Sequence, residues 1–197
     1  MNIGKTAAIV LAAGQGKRMQ AGQPKQFMLL GGRPVLYYAL AAFENSEVDE
    51  IILVTGADEI DYCRAEIVEH YGFRKVTQII PGGKERYHSV ACGLRALKQS
   101  SCDIVLIHDG ARPFLTEKIL EDTYAAAVQY QACVAAVQSK DTVKISDGDG
   151  FALSTPDRRS VWNIQTPQVF EVSLIKEAYF RLMGEPCIQV TDDAMVA

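Results

Sequence analysis

The sequence predicts an α/β fold built on a single doubly wound, mostly parallel sheet, and three observations carry that prediction. The chain opens with a short apolar run, Thr6 to Ala13, stopped by Gly14, as a strand buried on both faces would be. Short β-branched runs then alternate with amphipathic stretches of about 10 to 15 residues, the rhythm of successive βαβ units. The chain has 197 residues, 48% hydrophobic and 22% charged, without repeats or low-complexity tracts, which suits one domain spanning residues 1–197.

Each element follows from its local chemistry. Pro34 to Phe43 has helical character, with a proline where a helix tolerates one, at its opening. Glu50 to Thr55 reads as a β-branched strand, Asp58 to His70 as a helix closed by Gly72, and Lys75 to Ile80 as a strand ended by Pro81-Gly82-Gly83. A helix is expected over Glu85 to Gln99 and a strand over Asp103 to His108. Thr116 should cap a helix running to about Gln131, with Glu117 and Glu121 near its positive end. Ala132 to Val137 is a further strand. After Gln138 the pattern breaks: Thr142 to Ile145 and Phe151 to Ser154 flank Ser146-Asp147-Gly148-Asp149-Gly150, which is hairpin chemistry. This arm, about residues 139–165, reads as a lid, a dimerisation arm or an inert excursion, the last being the default on pattern alone. Helical periodicity returns at Val172 to Met183. Thr191-Asp192-Asp193 resembles a helix start, and the chain is expected to continue beyond Ala197.

Composition excludes several classes. The longest early apolar run, Ala7 to Ala13, is far too short to span a bilayer, and it enters Gly14-Gln15-Gly16-Lys17-Arg18 where a signal peptide would have a cleavage site. A cytoplasmic protein is expected. Five cysteines, widely spaced and without a C-x-x-C pair, argue against a disulfide framework or a structural zinc. The net charge of -4 hides an asymmetry, because residues 1–43 carry five basic side chains and no acid, whereas the remainder carries 15 bases and 24 acids. That front end suggests a local anion site and no nucleic-acid surface.

Ligands of open parallel sheets bind beyond the carboxyl ends of the strands, so the exits there hold the candidate residues. The first exit, Leu11 to Met19 and on to Pro24-Lys25-Gln26, fails both the dinucleotide fingerprint and the Walker pattern. It retains Gly14 and Gly16, which can bare backbone N–H groups, and the cations Lys17, Arg18 and Lys25. Alone, it fits either a polyphosphate cradle or a tight turn with solvated cations. The second exit, Gly82-Gly83-Lys84-Glu85-Arg86 leading to Ser89, permits close approach of a flat ligand or is a plain strand-to-helix turn. The third, His108-Asp109-Gly110-Ala111-Arg112-Pro113, offers Asp109 to Mg²⁺ or to a substrate hydroxyl, or simply to Arg112.

Taken together, the exits resemble a family. Leu11-Ala-Ala-Gly-x-Gly-x-Arg18-Met, Pro24-Lys25-Gln26, Gly82-Gly-x-x-Arg86-x-x-Ser89-Val, His108-Asp109-x-Ala-Arg112-Pro, Thr166-Pro-Gln and Thr191-Asp192 occur in the order seen in sugar-phosphate nucleotidyltransferases. Within that superfamily the chain resembles the 2-C-methyl-D-erythritol 4-phosphate cytidylyltransferases of the non-mevalonate isoprenoid pathway, along its whole length. The resemblance implies a Rossmann-like nucleotidyltransferase fold that transfers CMP from CTP to a polyol phosphate and releases pyrophosphate. It implies that Arg18 and Lys25 stabilise the transition state, with Arg158 added from the arm. It places the nucleotide against Ala12, Ala13, Gly14, Gly16, Lys17, Gly82, Gly83, Arg86 and Ser89. The acceptor would meet Asp109 and Arg112, and its phosphate Thr142, Arg158 and Thr166. Mg²⁺ would ride mainly on the CTP phosphates, with Asp109 a possible ligand. The hairpin becomes a dimerisation arm of a homodimer, bringing Thr142 and Arg158 to a neighbour's site.

Two positions depart from the family pattern: Gly110 stands where Ala is frequent, and Lys84 where an acid is common. A cytidylyltransferase for another polyol phosphate, such as ribitol 5-phosphate, would share most of these motifs. A non-catalytic nucleotide-binding module of the same fold would not need both Arg18 and Lys25.

Overall fold

The protein is described from a computed structural model, covering residues 4–14, 23–97, 102–184 and 190–197. A six-stranded sheet forms its centre, in the order β5-β4-β1-β6-β10-β7. The chain lays down β1 (Thr6–Ala12), a small hairpin of β2 (Leu29–Leu30) and β3 (Arg33–Pro34), α1 (Val35–Glu44) and β4 (Glu50–Thr55). Next come α2 (Ile60–Tyr62), prolonged by a π-helical stretch Cys63–Glu69, then β5 (Val76–Pro81), α3 (Arg86–Ala96), β6 (Ile104–Asp109), α4 (Glu117–Tyr130) and β7 (Ala132–Gln138). The arm holds β8 (Ile145–Ser146) and β9 (Ala152–Ser154), and the chain returns through β10 (Trp162–Glu171) into α5 (Val172–Leu182).

The strands β5, β4, β1 and β6 run parallel. Their side chains alternate between two cores, as the period of two requires. Ala8, Val10 and Ala12 of β1 face α1, the π-helical stretch and α4 through Leu36, Leu40, Phe43, Ile67 and Leu120. Ala7 and Ile9 face α3 and α5 through Val90, Leu94, Ile175 and Tyr179. The sheet is therefore covered on both faces, which explains the continuous apolar run of β1. Thr116 caps α4 as expected, its Oγ1 accepting from the Ile119 N–H at 3.3 Å. Gly72, at φ +71°, ends the second helical segment in a left-handed conformation suited to glycine.

Three features differ from the sequence reading. The helix expected over Asp58 to His70 is a composite of 3-10, α and π turns, with Cys63 and Ile67 buried. The β2–β3 hairpin was not foreseen, although Gly31 (φ +58°) and Gly32 (φ +82°) supply its primed turn. The largest difference is β10, a long strand inserted between β6 and β7 and antiparallel to both. Pro167 disguises it, because proline removes a ladder N–H and argues against a central strand. The ladder with β7 breaks between Ile164 and Gln168, around that proline, and the ladder with β6 runs only from Gln168 to Glu171. Residues 162–165, assigned to the arm by sequence, thus belong to the sheet. Between β7 and β10, β8 and β9 pair only with each other among the described residues. Asp147 closes their turn, its Oδ1 accepting from the N–H groups of Asp149 and Phe151 at 3.0 and 2.8 Å.

This placement separates two phenylalanines. Phe170 is fully buried between the registers of Val105 and Ala132, whereas Phe151 on the arm is 73% exposed. Phe170→Ala should cost about 3–5 kcal/mol in denaturant unfolding, and Phe151→Ala within about 0.5 kcal/mol for the chain as a monomer. Equal small losses would place β10 outside the core.

Candidate active site

The parallel strands end together at one edge, and the site forms where the strand order reverses. From β1 the chain goes outward to β4 and β5, then returns to lay β6 on the other side of β1, leaving a switch point between β1 and β6. Leu11 lies in register with Asp109 there, and the Gly110 N–H donates to the Leu11 carbonyl at 2.8 Å. Space is tight: a Cβ on Gly110 would fall 2.7 Å from Leu36 Cδ1 in the core and 3.1 Å from the Leu11 oxygen. The glycine is therefore fitted to its surroundings, so replacing the family's alanine is not the indifferent change that side-chain size suggests.

The first two exits touch each other. A Cβ on Gly82 would come within 2.6 Å of Ala13 Cβ and of Ser89 Oγ, and one on Gly83 within 2.3 Å of His88 Cβ. Only glycine lets the loop after β5 close on the loop after β1. Ser89, buried at the start of α3, holds this arrangement: its Oγ accepts from the Gly83 N–H at 3.1 Å and lies 3.4 Å from the Glu85 carbonyl. Its role in these contacts is to shape the loop. Gln26 does the same from the other side. Buried, it donates from Nε2 to the carbonyls of Ala12 (2.5 Å) and Gly14 (3.0 Å), pinning the β1 exit. Sequence reading quoted Gln26 in a motif but gave it no task, since an amide looks neutral until its partners are seen. Its neighbour Lys25 is exposed, on a 3-10 turn beside that exit. Gly16, Lys17 and Arg18 lie outside the described residues, as does Cys187.

At the third exit Asp109 is gripped by two arginines. Its Oδ1 accepts from Arg86 Nε at 3.1 Å and its Oδ2 from Arg112 Nε at 3.0 Å. Burial would raise the carboxyl pKa, but Arg86 and then Arg112 outweigh it, so Asp109 stays ionised below the usual carboxylate range. Arg86 also donates from Nη1 to Asp193 Oδ1 at 2.9 Å, and Tyr179 Oη donates to the same oxygen at 2.6 Å. Burial opposes the guanidinium charge; Asp193 and Asp109 more than compensate and hold Arg86 protonated. The Asp193 carboxylate is fully buried, and its Oδ2 has no partner among the described residues. Gln168 seats this segment by accepting the N–H groups of Asp193 and Ala194 on Oε1, at 2.8 and 3.2 Å. Arg86 is thus a fork between two carboxylates; Asp193 carried no signal of its own in the sequence, and Gln168 stands in the Thr166-Pro-Gln motif with no task legible there.

Thr166 reaches the same place from β10. Its Oγ1 accepts the Asp109 N–H at 3.3 Å and lies 2.9 Å from Nδ1 of His108, while Nε2 of that ring is 3.1 Å from the Arg112 carbonyl. Arg112 also bonds Gln165 on β10. Thr142 and Arg158 are not brought to this cluster. Both are exposed, and Arg158 contacts only the Lys140 carbonyl, at 3.4 Å, among the described residues. Trp162 stands four strand steps from Thr166, about 13 Å, and Arg158 lies a further turn out. No group of three or more His, Cys, Asp or Glu side chains is arranged to hold a metal among the described residues. The groove between α4 and α5, about 1070 Å³ and lined by Tyr124, Val128, Lys176 and Phe180, shares none of these residues.

Glycine loops closed around a switch point, an exposed lysine beside them and an arginine-bound aspartate suit an α/β nucleotidyltransferase. Residues 6–197 match the 2-C-methyl-D-erythritol 4-phosphate cytidylyltransferase family, and the chain belongs to it. A protein of that name from Lachnoclostridium phytofermentans is 54% identical over 192 residues, covering 98% of this chain and 82% of its own. The one from Clostridium kluyveri is 47% identical over 191 residues, covering 96% and 81%. The crystal structure of 4-diphosphocytidyl-2C-methyl-D-erythritol synthase from Anaerococcus prevotii superposes with a TM-score of 0.85 at 37% identity, over 98% of this chain and 81% of that one. The Thermus thermophilus cytidylyltransferase gives 0.72 at 29%, over 98% and 82%.

Burial pushes the His108 imidazole down to about 4 from its ordinary 6.5, so the folded state holds it neutral. In acid the unfolded chain binds this proton first, so the neutral ring favours folding above about pH 6.5 and that advantage is lost as pH falls through 4. The loss should approach about 3 kcal/mol in the wild type. Urea unfolding across that range should be flatter by this amount in His108→Gln, and parallel curves would contradict the assignment.

Proposed function

We propose that the protein transfers the cytidylyl group of CTP to 2-C-methyl-D-erythritol 4-phosphate, forming 4-diphosphocytidyl-2-C-methyl-D-erythritol and pyrophosphate. The observation that supports this chemistry best is the state of the bases at the site. Asp109 is locked between two guanidinium groups, and both nitrogens of the buried His108 face partners, so neither is placed to take a proton. The reaction needs no base. A phosphate monoester loses its second proton near pH 6, so its oxygen is an anion at neutral pH. That oxygen attacks the α-phosphorus in line. A new P–O bond forms, the bond to the bridging oxygen breaks, and pyrophosphate departs with the electron pair.

Catalysis then rests on position and charge. The glycine loops at Ala12 to Gly14 and Gly82-Gly83 bring backbone against a single-ring base, too closely for a purine. Lys25 neutralises charge that builds on the α-phosphate and the leaving group, a task that Arg18 and Lys17 would share. Asp109, oriented by Arg86 and Arg112, takes the acceptor's hydroxyl groups. A divalent cation such as Mg²⁺ suits phosphate oxygens, with few protein ligands, and would lower the charge of the triphosphate. The carboxylate at the site that would meet it is Asp109, since the Asp193 side chain is fully buried.

The active unit is a homodimer in this reading. The arm carries exposed Ile145, Phe151 and Leu153, an apolar surface that a second copy would cover, and Arg158 sits on a 3-10 turn outside β10 with no hydrogen bond to Asp109 among the described residues. Arg158 and Thr142 then grip the acceptor phosphate in the partner's site. Among the described residues four cysteines are free and no helix is long and apolar enough to cross a membrane.

Pyrophosphate release should require CTP and 2-C-methyl-D-erythritol 4-phosphate together; equal rates with GTP or with ribitol 5-phosphate would overturn the assignment. Lys25→Ala should lower kcat by about a hundredfold or more while CTP still binds. Near-normal kcat at saturation would remove Lys25 from catalysis. Mixing inactive Lys25→Ala and Arg158→Ala subunits should restore about a quarter of wild-type activity, since half the dimers are mixed and half their sites whole. No recovery after confirmed exchange means that Arg158 serves its own chain.

A further inference from the structure

We propose that His108 is a positioning residue for the acceptor half of the site, fixing Thr166, Asp109 and Arg112 through one directed chain of hydrogen bonds. The assignment rests on the reaction proposed above, and its direction follows from proton inventory. The Arg112 carbonyl can only accept, so the nitrogen 3.1 Å from it, Nε2, carries the hydrogen. A neutral ring then has an unprotonated Nδ1, which accepts from the Thr166 hydroxyl at 2.9 Å. With its one proton committed, Thr166 Oγ1 turns a lone pair to the Asp109 N–H at 3.3 Å. Each group has one role only, and reversing any link breaks the next.

The chain ties together three pieces that arrive separately. Asp109 ends β6, Arg112 stands three residues on in the following loop, and Thr166 comes from the antiparallel strand β10. His108 is 1% exposed, with the Phe43 ring edge-on at 5.7 Å, so no water competes for its nitrogens. Its ring does not touch the ligand space; it acts through the backbone of the residues that do. The carboxylate of Asp109 is aimed by its own N–H bond to Thr166 and by Arg112, whose carbonyl the ring holds. The nucleotide loops at Ala12 to Gly14 and Gly82-Gly83 are pinned by Gln26 and Ser89 and lie outside the chain. Loss of His108 should therefore be felt by one substrate.

The test compares His108→Phe, which keeps the ring and removes both partners, with His108→Asn, whose Oδ1 sits where Nδ1 does and still accepts from Thr166. His108→Phe and Thr166→Val should each raise the acceptor KM about tenfold and leave the CTP KM within about twofold. The double variant should be no worse than the worse single one, because both cut the same chain. His108→Asn and Thr166→Ser should recover most of the loss. A parallel rise in both KM values, multiplicative singles, or Asn behaving like Phe would reduce His108 to a core residue and overturn the proposal. A second reading is independent of turnover. In protein labelled with ¹⁵N-histidine, the His108 signals, identified by their absence in His108→Asn, should show a protonated Nε2 and a bare Nδ1 that shifts in Thr166→Val. A protonated Nδ1 would overturn the chain. A wild type that turns over no substrate yet shows the expected tautomer would count against the reaction and not against the hydrogen-bond chain.

Discussion

The antiparallel seam between β6 and β10 is the constraint on which the site depends. Gln168 pairs with Ile107, and continuing that register by two residues sets Thr166 opposite Asp109. The contacts of Thr166 with Asp109 and His108, and of Gln165 with Arg112, follow from this register. A slip by one residue would turn Thr166 to the other face of the sheet and leave a buried histidine without its partner. The register is held by burial on both faces, since Val169 and Phe170 are fully enclosed in opposite cores.

Around that seam, charge is distributed so that Asp109 stays ionised and the imidazole stays neutral. Asp109 and Asp193 share Arg86, and each buried charge meets an opposite one within hydrogen-bond distance. The surrounding low dielectric strengthens such pairs and also makes their removal costly. Arg112 and Tyr179 complete the set at its rim and at its base. Burial raises the Tyr179 hydroxyl pKa, with the neighbouring Asp193 adding to it, so this hydroxyl remains a donor at any working pH. What results is a polar wall, the acceptor wall in the proposed reaction, facing a loop wall made of glycines.

These two walls differ in how far sequence reveals them. The glycine loops are legible because glycine has few reasons to recur at strand exits except turn geometry and close approach, and the contacts of Gly82 and Gly83 bear this out. The acceptor wall is less so. Asp109 and Arg112 stand together in sequence, but Asp193 is 84 positions from Asp109, and Arg86 between them has no local signature as a bridge. Gln26, Gln168 and His108 are polar side chains in a core, a pattern that reads as noise until each partner is located.

Local chemistry by itself determined the alternation of strands and helices, the cap at Thr116, the turn at Asp147 and the site's place beyond the strand ends. These depend on side-chain period, φ preference and short-range hydrogen bonds, all of which operate within a few residues. Tertiary structure alone decided that β10 enters between β6 and β7, against the local prejudice of Pro167, because the sheet needed an apolar strand there and Val169 and Phe170 supplied it. It likewise decided which carboxylate each arginine meets and which nitrogen of His108 bears the proton. Those outcomes depend on distances between segments far apart in the chain, and folding sets such distances only when the whole core closes.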